Sequence, residues 1–144
     1  MAAVAGGIAV WVTHDSRTPL QKDCAEVSDL GRQAHDLGTW MNDGLDNHTI
    51  DNLDEIVDRE STLSDRLRAA AGSVTTSEMK QPLATWADAM ALSAQLQRES
   101  NAAAGADPSP EWMGNAYRYN AMVSEALDAL DRRCPGLKQL VRVS

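Results

Sequence analysis

From Leu20 onward the apolar residues recur every three or four positions, the period of a helix that buries one face. Leu20, Val27, Leu30, Ala34, Leu37 and Met41 form a first stripe, opened by the cap-and-proline pair Thr18-Pro19 and closed by Gly44. A second helix is predicted from about Thr49 to Ala71, with Ile50, Leu53, Ile56, Val57, Leu63, Leu67 and Ala70 facing inward. Its acids come early and Arg66 and Arg68 late, as the helix dipole favours, and Gly72 ends it. The third stripe is Leu83, Trp86, Ala87, Met90 and Ala94. It has two candidate starts: a capping box at Thr75 and Glu78, or a first turn at Pro82. Gly105 closes it, and Ser109-Pro110 opens a fourth helix with the heptad Met113, Ala116, Asn120, Val123, Leu127, Leu130 and Cys134. Pro135-Gly136 ends that helix and leaves a short basic tail, Leu137 to Ser144.

Four amphipathic helices joined by short loops predict an all-α fold, an up-down-up-down four-helix bundle over residues 18–144. Residues 1–17 are read as a separate apolar N-terminal segment and linker. Its run Ala2 to Val12 is uncharged but falls short of the ~20 residues that span a membrane. Three readings stand for it: part of a truncated membrane anchor, the remnant of a signal sequence, or a segment docking on the bundle.

Cys24 and Cys134 lie at the outer ends of the first and fourth helices, which are antiparallel neighbours in this topology. The expectation is a disulfide, and with it a compartment outside the reducing cytosol. Extending the pairing along both helices sets Gly31 against Leu127 and Gly38 against Asn120, small residues opposite larger ones.

Charge changes the picture of partners. A formal net charge of −8 excludes nucleic acid as an expected partner, since phosphate binding needs a basic face. Motifs change the picture of chemistry. No Glu-x-x-His pair, Cys-x-x-Cys, Gly-x-Ser-x-Gly elbow or phosphate-cradling glycine loop occurs, and His14, His35 and His48 are dispersed. No cofactor, metal or enzymatic activity is expected.

Two polar residues interrupt the apolar stripes: Glu60 in the second helix and Asn120 in the fourth. They are expected in a similar layer, as a candidate polar pocket with Trp86 and Tyr117 in its lining. A second candidate is a contact patch at Trp112 and Tyr119, near the start of the fourth helix.

The triplet Trp112-Met113-Gly114 resembles the Trp-x-Gly of small secreted type VII substrates. The Tyr-x-x-x-Asp/Glu signal of those proteins is missing, because Val123 stands four residues after Tyr119, and the chain is not placed among them. More broadly, the Ala/Asp/Arg-rich helices, apolar start and late Cys-Pro-Gly resemble exported or membrane-anchored actinobacterial proteins, mycobacterial in type, with no assigned function.

The expected role is a non-enzymatic extracytoplasmic interaction or accessory module. Its partner is a protein at the membrane or cell envelope, with membrane attachment through the N-terminal segment. The alternative is a carrier that holds a small or lipidic ligand within the bundle. A carrier calls for a cavity of roughly 300 Å³ or more, an interaction module for a filled core and an exposed apolar patch.

Overall fold

The computed structural model describes residues 16–142; the apolar run Ala2 to Val12 lies outside the described residues. Among the described residues five helices follow in order: α1 (Pro19–Asp46), α2 (Asp54–Ser73), α3 (Ser77–Ala103), α4 (Pro110–Arg133) and α5 (Leu137–Val141). The four long helices pack together.

Local chemistry explains most of the boundaries. Thr18 and Gln21 form a reciprocal capping box: the Thr18 hydroxyl accepts from the Gln21 N–H at 3.2 Å, and Gln21 Oε1 accepts from the Thr18 N–H at 2.8 Å. Ser109 caps α4 by accepting from the Trp112 N–H at 3.1 Å. Gly105 and Gly136 adopt positive φ of 85° and 98°, the left-handed conformation that ends α3 and turns the chain into α5.

Four expectations are corrected. Neither Gly44 nor Gly72 ends its helix: Gly72 lies inside the last turn of α2, and Gly44 inside the last turn of α1, where a side chain would collide with Ile50, which folds back over it. The α2 helix begins at Asp54 rather than near Thr49, because residues 47–53 turn the chain, with His48 left-handed. The tail after Pro135-Gly136 is not a loose end but the helix α5.

Helix α3 starts at Ser77, ahead of Pro82, and its cap comes from a distance. The N-cap Thr76 makes no side-chain cap of its own. Asp23 of α1 instead accepts hydrogen bonds from the backbone N–H groups of Thr75 and Thr76 and from both hydroxyls, the shortest at 2.6 Å. This carboxylate is only 5% exposed and takes the place of the capping side chain.

The core runs along α2 and α3, where Leu63, Leu67, Met79, Leu83, Trp86 and Ala87 are buried, and continues to Leu130 of α4. Helix α2 packs mainly on α3, and α3 on α4. Helix α1 is held differently. It touches α2 along a limited seam and packs against α5, not along the length of α4.

That arrangement corrects the expected register. Gly31 faces Leu137, Leu140 and Val141 of α5, not Leu127: a Cβ there would sit 2.8 Å from Leu137 Cδ1. The small residue receives a larger neighbour, as the sequence suggests, but the neighbour belongs to the returning C-terminal helix. Nor does the α4 heptad face inward throughout. Met113 is 47% exposed, because α1 does not cover that half of α4.

Candidate functional site

The predicted disulfide is present. Cys24 and Cys134 are bonded, with Cα atoms 5.4 Å apart, and close a loop spanning 110 positions. The bond ties the first turns of α1 to the end of α4, and α5 follows at once.

A cavity of about 220 Å³ is lined by residues of α1, α4 and α5 together with the middle of α2 and α3. Leu37 and Met41 of α1, Val123 of α4 and Val141 of α5 supply apolar walls, with Trp86 and Met90 from α3. Three polar residues join them, one from each remaining long helix: Glu60 of α2, Ser93 of α3 and Tyr119 of α4.

Glu60 occupies a core position of α2, between Ile56 and Leu63. It is 2% exposed, and its Oε2 has no hydrogen-bond partner. Burial pushes its pKa above the usual carboxylate value, and hydrogen bonding to the Ser93 side chain offsets part of that rise. Burial also raises the Tyr119 phenol, the negative charge of Glu60 raises it further, and Ser93 again acts in the opposite direction. The three side chains therefore form one electrostatic unit, able to give or accept a hydrogen bond inside an otherwise apolar space.

The structure brings together half of the pocket expected from sequence. Glu60 and Trp86 line the cavity. Asn120 and Tyr117 do not: both are exposed, and they border a groove on the outer face of α4 with Trp112, Met113 and Ala116. The heptad reading put Asn120 inward, but without α1 alongside, that stretch of α4 faces solvent. Tyr119, expected in the contact patch, turns inward instead and replaces Tyr117 in the cavity. Ser93 was missed, although its spacing after Trp86 and Met90 continues the buried stripe of α3.

Trp112 is half-buried and anchored, its indole N–H donating to the Leu96 carbonyl at 3.1 Å. Beside it Tyr117 is 73% exposed. Positions 112, 113, 116, 117 and 120 share one helical face, so the groove is continuous along α4.

The histidines serve the fold where they are described. His35 Nδ1 lies 2.7 Å from the Arg142 carbonyl, so this nitrogen carries the proton and donates, pinning the end of α5 to α1. Among the described residues no cluster of three His, Cys, Asp or Glu side chains is placed to hold a metal ion. Among them, too, no helix is long and apolar enough to cross a membrane.

In comparisons with protein-family models, with curated proteins and with solved structures, nothing matches this chain.

Proposed function

We propose that this protein is a non-enzymatic interaction or accessory module that works outside the cytoplasm, at the cell envelope, and binds a protein partner. In this reading the scaffold is an up-down-up-down four-helix bundle with α5 as an added clasp. The observation that carries the proposal is the outer face of α4: Tyr117 and Met113 are 73% and 47% exposed beside the anchored Trp112. Large amphipathic side chains on a rigid helix are the residues that dominate protein contacts, and a fixed Trp loses little further entropy on binding. The disulfide supports the location, since such bonds persist in oxidising compartments. Attachment to the membrane through residues 1–17 belongs to the same proposal.

Site-specific photo-crosslinking in cells tests it. A crosslinker at position 117 is expected to capture a defined partner, one not captured from position 65 on the exposed side of α2. Met113→Ala should weaken that capture. Identical crosslinking patterns from positions 117 and 65 would reject the assignment of this face.

A further inference from the structure

We infer that the cavity beside Glu60 is a binding site for a small organic ammonium, an apolar body carrying one protonated amine. Glu60 is 2% exposed and its Oε2 has no hydrogen-bond partner. Leaving a buried polar atom unpaired is costly, so an acid held this way marks a place that suits a donor from outside the chain. The lining offers this acid hydroxyl groups but no cation. The groups that face it are the Ser93 hydroxyl from α3 and the Tyr119 phenol from α4, while α1 and α5 contribute Leu37, Met41 and Val141. Among the described residues, no lysine, arginine or histidine lines this space.

An acid without a cation selects its ligand by charge. A carboxylate or phosphate ligand would meet Glu60 with nothing to neutralise either group. An ammonium would supply the missing donor and form a charge-assisted pair with the Glu60 carboxylate. The aromatic side chains of Trp86 and Tyr119 in the same lining suit a cation as well as an apolar body. The net charge of −8 raises the local concentration of cations around the molecule. Size limits the ligand. A cavity of about 150 Å³ holds benzene, so about 220 Å³ admits roughly nine non-hydrogen atoms. This site does not rest on the contact face of α4, and either can fail without the other.

Benzylamine, toluene and benzoate are matched probes for the charged amine, the neutral body and the opposite charge. Each is titrated into the oxidised full chain, followed by calorimetry and by backbone amide NMR shifts. Benzylamine is expected to bind at least tenfold more tightly than toluene, with shifts centred on Ser93 and Tyr119, and benzoate is expected not to bind. Glu60→Gln should weaken benzylamine at least tenfold while leaving toluene within about twofold. Val123→Phe, which fills the cavity from α4, should abolish binding of both. Equal affinity for benzylamine and toluene would overturn the inference in the unsubstituted protein alone. So would shifts confined to surface carboxylates, or no binding of benzylamine at all.

Discussion

At the scale of single residues, two buried carboxylates have opposite consequences. Asp23 is desolvated, which raises its pKa. The hydrogen bonds from Thr76 and Thr75 outweigh that effect, and the net shift is below the ordinary value of 3.8. The stability it contributes is therefore fully present above that ordinary value. It is lost as pH falls through the depressed folded value. Asp23→Ala should cost about 2–3 kcal/mol, since it strands the N–H groups at the start of α3. Urea unfolding at pH 7 measures this, and the difference from the parent should shrink under acid conditions. Glu60 works the other way. Its folded pKa lies above the ordinary 4.5, so the native state binds the proton more tightly than the unfolded chain does. Stability then falls as pH rises from 4.5 through the folded value, and levels off above it. Glu60→Met removes the unpaired oxygen, so at pH 7 it should stabilise by about 1–3 kcal/mol, with the gain narrowing toward pH 4. Thermal unfolding across that range checks it, and a loss of stability at pH 7 would contradict the unpaired-oxygen account.

At the scale of elements, α5 shows which features the sequence can announce. The stripes of α1 to α4 are legible because burial of one face imposes a period on twenty or more residues. Thr18, Ser109, Gly105 and Gly136 are legible because their work is local. A five-residue helix has too few positions to show a period, and its partner, Gly31, lies more than a hundred residues away. Asp23 capping α3 and Tyr119 replacing Tyr117 are hidden for the same reason, since each depends on which element α1 meets in space. Glu60 and Trp86 were legible because a charge and a large ring each stand out within a regular stripe. The Gly31 contact has a measurable consequence. A Cβ there meets the end of Leu137, whose side chain is buried and has little room to move. Gly31→Ala combines a gain in helix propensity of about 1 kcal/mol with that crowding, and should change stability by less than 1 kcal/mol. Gly31→Leu should displace α5, cost about 2–3 kcal/mol and speed amide exchange at residues 137–141. Unchanged protection there would show that α5 does not seat on Gly31.

At the scale of the whole molecule, the weakest seam and the strongest link involve the same element. Helix α1 contributes Val27 and Leu30 to the core, but its second half borders the cavity and packs sparingly on α2. It is retained by Asp23, by α5 through Gly31 and His35, and by the Cys24–Cys134 bond. The bond closes a loop spanning 110 positions, so it removes entropy from about three quarters of the unfolded chain. In the chain-entropy model such a loop is worth about 4–5 kcal/mol. The double variant Cys24→Ser, Cys134→Ser should lose about 3–5 kcal/mol in denaturant unfolding, and the parent in strong reductant should match it. The loss should not fall evenly. Helices α2, α3 and α4 bury most of the core against one another, and none of their mutual contacts requires the bond. Hydrogen exchange of the reduced protein should show α1 and α5 opening first, while α2 and α3 keep most of their protection. Uniform loss of protection across all helices would instead make the fold one cooperative unit, with α1 as integral to it as α3.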